Sequence, residues 1–228
     1  MSSAPGAGTL DSGPVGAVFF DVDGTLVPGT SSSVFLAGFL GHRDELSAAE
    51  AAYAAGTMDN RQVSELDAVA WAGVPEQRVQ GWLADLPLVP GIAETVAWCR
   101  RRGLVPVLAT LAWSPVGRFL AGRFGFHAFS GPEPETADGV FTGRVARHFD
   151  EYDKRDAALG QARKLGLGPG SCGAVGDSRS DLPLFAAVGV SVAFNASADA
   201  RAAATATVDG DDLRSVLPVL SRLVTATH

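Results

Sequence analysis

The chain has 228 residues, 46% of them hydrophobic and 19% charged, and 25 acids against 18 bases leave it a net charge of −7. That length suits one globular domain of ordinary size, or a core domain carrying a smaller insert, and needs neither disulfides nor a structural metal to hold it. Global disorder is excluded by the high apolar content, and an acidic chain lacks the basic footprint of a nucleic-acid binder. A small phosphorylated metabolite can still enter a locally positive pocket.

Residues 1–14, rich in Gly, Ala, Ser and Pro, read as a flexible lead-in. The first basic side chain is Arg43, so the positive region that opens a secretory signal is missing. No apolar run approaches the roughly 18–20 residues of a membrane span. A soluble cytoplasmic protein, monomeric or homodimeric and without membrane or nucleic-acid partners, is expected. Residues 15–20 form a short apolar run without alternation, the pattern of a strand buried on both faces. It stops at Asp21-Val22-Asp23-Gly24-Thr25. From 28 to 86 the pattern is helical, and breaks at Gly41, Gly56, Gly73 to Pro75 and Pro87 divide it into four short helices.

After Pro90-Gly91, Ile92, Val96 and Cys99 mark one helical face, which Gly103 terminates. Residues 104–109 predict a second buried strand ending at Thr110, and a helix starts near Pro115. Residues 127–130 read as extended, and Asp138-Gly139 predicts a hairpin turn. A helix over 153–165, strands over 173–176 and 190–194, and a last helix beginning at Asp211 complete the pattern. That last helix carries Leu213, Val216, Leu217, Leu220 and Leu223 on one face. The two cysteines, Cys99 and Cys172, read as reduced, packed thiols, and the four histidines show no zinc-ligand spacing. The glycine-rich 166–170 follows a helix and reads as a connecting turn.

Alternating strands and helices predict a parallel sheet covered on both faces, and in such folds ligands bind beyond the carboxyl ends of the strands. Three strands end at polar residues: Asp21, Thr110 and Asp177. Asp23 and Asp181 bring two more acids to the same crevice. Clustered carboxylates repel one another unless a hard cation neutralises them, and an all-oxygen set suits Mg²⁺. A carboxylate can also act as nucleophile and form an aspartyl-phosphate, with Thr110 supplying a hydroxyl and Lys154 a point charge to the phosphoryl oxygens. Arg155 competes with Lys154 for that role, and Trp113 stands close enough to Thr110 to line the crevice.

The chain resembles the haloacid dehalogenase superfamily of phosphohydrolases from residue 15 onward. Four motifs carry the resemblance: DVDGT at 21–25, Thr110 after LVPVLA, Lys154 in YDKRDAAL, and GDSRSDLPL at 176–184. DGVFTG at 138–143 is similar to a segment of phosphoserine-phosphatase-like members. The resemblance implies a doubly wound, Rossmann-like α/β core over 15–27 and 87–228, with a small all-helical cap at 28–86 inserted after the first strand. It implies Asp21 as nucleophile and Asp23 as general acid and base, with Thr110 and Lys154 on the phosphoryl group. Mg²⁺ would be held by the Asp21 carboxylate, the Asp23 carbonyl and Asp177, with Asp181 supporting the metal or orienting Lys154.

Thr30, Asp67 and Ser180 are the candidates for substrate selection. Phosphoserine phosphatases hold an ammonium with a cap glutamate and a carboxylate with a cap arginine; the corresponding positions here fall at Thr30 and Asp67. That comparison favours a sugar, amino-sugar or polyol phosphate over phosphoserine. The rivals are phosphoserine phosphatase, a phosphomutase or phosphotransferase on the same fold, and a binding or regulatory protein without turnover.

Overall fold

The computed structural model describes residues 13–225, so all but the last two residues of the expected lead-in lie outside the described residues. The first strand, β1 (Gly16–Phe20), is buried along its whole length. Its side chains alternate between two cores: Val18 and Phe20 face one, Ala17 and Phe19 the other. That two-sided burial explains why the run is continuously apolar.

Four helices follow: α1 (Ser32–Leu40), α2 (Arg43–Ala54), α3 (Asn60–Ala70) and α4 (Glu76–Leu83). Each break has a local cause. Ser31 caps α1 by accepting from the Val34 N–H, Gly41 closes it in the left-handed conformation, and Asp59 with Gln62 forms a capping box for α3. Val34, Ala37, Leu46, Ala49 and Val63 make a small core of their own, while Leu36, Trp71, Val79 and Leu83 join the main one.

The chain returns through α5 (Ile92–Arg101) to β2 (Leu104–Ala109), then α6 (Ser114–Phe124), β3 (Phe129–Ser130) and the hairpin of β4 (Glu133–Ala137) and β5 (Val140–Arg147). Asp138 and Gly139 both have positive φ, the signature of the tight turn expected from Asp-Gly. Next come α7 (Glu151–Lys164), β6 (Cys172–Gly176), α8 (Leu182–Phe185), β7 (Val190–Phe194), α9 (Ala198–Ala203) and β8 (Ala206–Val208). The six-stranded sheet has the order β3-β2-β1-β6-β7-β8, and every pairing in it is parallel. Pro106 is tolerated inside β2 because its carbonyl accepts from His127 and its missing N–H faces that same short edge.

Helices α5 and α6 cover one face, and α7, α8 and α9 the other. The second core is built on Ala17, Ala109, Ala158, Ala162 and Ala174, small residues that let α7 approach the sheet closely. Both cysteines are buried free thiols.

Two expectations change. The last helix is instead three short turns, Leu213–Val216, Leu217–Leu220 and Arg222–Thr225. Pro218 lacks the N–H that would continue the first turn, so the helix restarts around it. Strand β8 was not anticipated: three residues with one half-buried edge give too little periodicity to read.

Candidate active site

Because β1 lies between β2 and β6, the strand order reverses there, and a crevice opens beyond the carboxyl ends of these strands. Asp21 follows β1, Thr110 follows β2 and Asp177 follows β6. All three line one cavity of about 630 Å³, together with Asp23, Thr30, Asp67, Trp113 and Ser180. The helices between β1 and β2 close the cavity from above through Glu50, Tyr53, Asn60 and Ser64.

Behind Asp21, the Lys154 ammonium is fully buried and lies 2.7 Å from Asp181 Oδ1 and 3.1 Å from Asp21 Oδ1. Nζ also donates to Ser180 Oγ at 3.2 Å. Lys154 belongs to the first turn of α7, capped by Asp150 and Asp153, where the helix dipole disfavours a cation. Burial would also lower its pKa, but Asp181 and Asp21 outweigh this and raise it. Arg155, one position on, points outward to pair with Asp156 at the surface. Lys154, Ala158 and Ala162 share the buried face of α7, and this helical phase brings the Lys154 ammonium to Asp21 and Asp181.

Asp181 is fixed from both ends. Its Oδ1 meets Lys154, and its Oδ2 accepts from the N–H groups of Asp177 and Ser178 at 2.9 and 3.2 Å. Gly24 and Gly176 make this crowding possible: a Cβ on Gly24 would strike the Asp177 carboxylate, and one on Gly176 the Asp181 carboxylate. Gly24 also has φ +83, so only glycine suits that turn without strain. Thr25 Oγ1 donates to Asp177 at 3.3 Å. Thr110 Oγ1 accepts from the Ala112 N–H at 3.0 Å, which leaves its proton to donate.

Carboxyl oxygens of Asp21, Asp177 and Asp181 all lie within 4.8 Å of one another. Among the described residues Lys154 pairs with two of them, Asp21 and Asp181, and its one charge does not balance the three. Burial therefore pushes Asp21 up to about 7 despite Lys154, and burial with the charges of Asp21 and Asp181 pushes Asp177 up to about 8. A compact set of oxygen donors short of positive charge fits a hard divalent cation such as Mg²⁺. Asp181 has its oxygens engaged by protein donors, so Asp21 and Asp177 are the carboxylates with capacity for it.

Asp23 stands beside this floor. Its Oδ1 accepts from the Ser32 N–H at 2.6 Å, and burial raises its pKa against that bond. A carboxyl biased toward its protonated form is suited to donating a proton.

The selection candidates occupy different settings. Thr30 lines the cavity with its hydroxyl on the Ser31 carbonyl. Asp67 lines it too, but its carboxylate already accepts from Trp71 and Trp113 at 3.0 and 2.6 Å and lies 2.8 Å from His42 Nε2. Its charge is thus directed into a buried network joining α3 to the loop after β2. Sequence reasoning missed Glu50, Tyr53 and Arg179. Glu50 carried a signal, because Leu46, Ala49, Glu50 and Tyr53 follow one helical stripe on which a charge is out of place. Arg179 bonds the Tyr53 carbonyl at 2.6 Å and lies over the Tyr53 ring at 4.8 Å, a contact between distant segments that sequence spacing does not reveal.

A buried ammonium among clustered carboxylates, at the switch point of a parallel sheet, is the setting in which such folds place their ligand sites. The sequence model for haloacid dehalogenase-like hydrolases matches residues 18–186, and the chain belongs to that family. It is 29% identical over 204 residues to phosphoserine phosphatase SerB2 of Mycobacterium tuberculosis, covering 89% of this chain and 50% of that protein. The chain thus spans half the length of that relative. It is 30% identical over 207 residues to phosphoserine phosphatase of Albidiferax ferrireducens, covering 88% and 87% of the two chains. A substrate-bound phosphoserine phosphatase complex superposes with a TM-score of 0.80 at 21% identity, over 89% of this chain and 97% of that one. A haloacid dehalogenase family hydrolase from Salmonella enterica serovar Typhi gives 0.82 at 18% identity, over 91% and 72%. Among the described residues, no helix is long and apolar enough to cross a membrane.

Proposed function

We propose that the protein is a Mg²⁺-dependent phosphomonoesterase working through an aspartyl-phosphate, with phosphoserine as its first-choice substrate. The observation that carries the reading is that Asp21, Asp177 and Thr110 line one cavity while Lys154, paired with Asp21 and Asp181, is buried directly behind Asp21. Lys154 and the Thr110 hydroxyl hold the phosphoryl oxygens. Asp21 attacks phosphorus as the ester bond breaks, and Asp23 protonates the departing alkoxide. Asp23 then takes a proton from the water that hydrolyses the aspartyl-phosphate, releasing inorganic phosphate and restoring Asp21. Mg²⁺, held by Asp21, the Asp23 carbonyl and Asp177, would neutralise charge on the phosphoryl oxygens. The helices at 28–86 would act as a cap over this site.

The relatives' names favour phosphoserine over the sugar or polyol phosphates expected from the sequence. A free carboxylate at Asp67 would repel the carboxylate of phosphoserine. With Asp67 engaged by Trp71, Trp113 and His42, that repulsion is weakened, and the guanidinium lining the cavity is Arg179. A second reading, an amino-sugar or polyol phosphate, is favoured by the hydroxyls of Thr30, Ser31, Ser33 and Ser64 around the same cavity.

Phosphate release should be measured with Mg²⁺ over phosphoserine, sugar, amino-sugar and polyol phosphates without any added acceptor. Phosphoserine leading in kcat/KM is the expected result. An amino-sugar or polyol phosphate in first place would select the second reading. Release only on addition of an acceptor would indicate a phosphotransferase, and no release from any ester a binding protein.

Stability should report the cation as well. The folded pKa values of Asp21 and Asp177 lie above the ordinary 3.8, so the native state holds more protons than the unfolded chain. Their contribution is present below about pH 4 and is lost as pH rises through about 7 to 8. A bound cation favours the ionised carboxylates and offsets that loss. The rise in Tm on replacing EDTA with Mg²⁺ should therefore be larger at about pH 8 than at about pH 5, by at least about 2 °C. A Mg²⁺ effect independent of pH would count against these carboxylates as ligands.

A further inference from the structure

We infer that Asp67 is a positioning residue. Through the Trp113 indole it ties the helices between β1 and β2 to the loop that carries Thr110, so that the seating of those helices and the grip on the phosphoryl group are coupled. This rests on the phosphatase reading and deepens it. Asp67, on α3, is buried. Its Oδ1 accepts from the Trp71 indole at 3.0 Å and lies 2.8 Å from His42 Nε2. Its Oδ2 accepts from the Trp113 indole at 2.6 Å, across 46 positions of sequence. Of these three partners only Trp113 lies outside the stretch between β1 and β2. Hydrogen bonds from N–H groups to a carboxylate are short and strong, and a buried setting strengthens them further. An indole has a single donor, and with that donor committed to Asp67, Trp113 does not itself bond the phosphoryl group.

The loop after β2 has the stiffness to transmit this contact. Trp113 is buried, and its carbonyl accepts from the Val116 and Gly117 N–H groups at 2.9 and 3.3 Å, which fixes it as the start of α6. One residue back, the Ala112 N–H donates to the Thr110 hydroxyl oxygen at 3.0 Å. Packing leaves little slack: a Cβ on Gly131 would lie 2.4 Å from the Ala112 carbonyl oxygen, and the Ser114 N–H donates to the Pro132 carbonyl at 2.9 Å. A shift of the indole is therefore carried to Thr110 through three residues. Two further polar contacts join the same helices to α6, Gln80 to the Pro115 carbonyl at 3.4 Å and Glu76 to Arg118 at 3.6 Å. Both are longer than the Asp67 contact and fall beyond the loop.

The test uses inorganic phosphate as ligand with Mg²⁺ present. Trp113→Phe and His42→Phe each remove one donor to Asp67 and keep a ring, but only the first cuts the tie to the loop. Calorimetric affinity for phosphate should fall at least about fivefold in Trp113→Phe and stay within about twofold of the wild type in His42→Phe, although both lower Tm. Adding Asp67→Asn to Trp113→Phe should weaken phosphate by no more than about a further twofold, because both substitutions act through one contact. Coupling is reciprocal, so saturating phosphate should slow solvent exchange of the Trp113 indole N–H in the wild type at least about threefold, as followed by NMR. That measurement needs no variant to fold. Unchanged phosphate affinity in Trp113→Phe, an equal loss in His42→Phe, additive losses in the double variant, or indole exchange indifferent to phosphate each overturn the inference. A wild type that neither binds phosphate nor hydrolyses any ester is a separate outcome: the phosphatase reading falls, and the inference falls with it.

Discussion

Lys154→Met is expected to unfold the protein more readily than any other single substitution at the site. The ammonium is completely buried between Asp21 and Asp181, and removing it leaves carboxylates crowded at low dielectric with no cation among them. Breaking a buried ion pair from one side costs about 3–5 kcal/mol, which for a chain of this size lowers Tm by roughly 6–20 °C. The loss has a pH signature. Carboxylates freed from Lys154 escape repulsion by taking up protons, so in EDTA the deficit should be smaller at about pH 5 than at about pH 8. Thermal denaturation followed by circular dichroism at both pH values is the measurement. A variant as stable as the wild type at the higher pH would show that Lys154 does not neutralise this cluster.

Asp21→Asn should remove activity by at least about 10⁴-fold in kcat while leaving the fold intact. An amide is isosteric with the carboxyl but cannot attack phosphorus as an anion. It also removes one charge from a cluster in which the Asp21 pKa is already pushed up to about 7, so in EDTA at about pH 8 its Tm should match or exceed the wild type. Rapid quenching during turnover of phosphoserine should trap a hydroxylamine-sensitive phosphoryl group in the wild type and none in the variant. Phosphate release within about tenfold of wild type would rule out Asp21 as the nucleophile.

These two substitutions pull stability and activity apart, and the reason lies in the positions of the residues. Lys154 neutralises several groups at once, whereas Asp21 is one source of the excess negative charge. On the proposed reading, such a site would trade metal-free stability for a carboxylate cluster able to accept a cation.

Much of this architecture was legible in the residues. The apolar runs at 15–20, 104–109, 173–176 and 190–194 read as strands because burial on both faces removes the polar alternation that would otherwise confuse them. Asp21, Thr110 and Asp177 stood out because each ends such a run, and in a parallel sheet those ends converge. The hairpin turn followed from Asp138-Gly139, whose backbone must take positive φ. These features are set by a residue and its near neighbours.

Other features depend on which distant groups meet. The choice between Lys154 and Arg155 turned on the phase of α7 against the sheet: one residue of rotation separates a buried ammonium from an exposed guanidinium. Asp67 read as a substrate-selection candidate in the sequence, and only packing placed Trp71, Trp113 and His42 around it. Glu50 was missed although it stands on an apolar stripe, and that no cation pairs with it among the described residues is a fact about everything packed near it. Local sequence thus determined the strands, the turns and the acids at the strand ends, since covalent proximity controls backbone geometry. The tertiary structure alone decided which charges are neutralised and which are left open, because electrostatic energy in a low-dielectric interior depends on partners that the chain brings together from far apart.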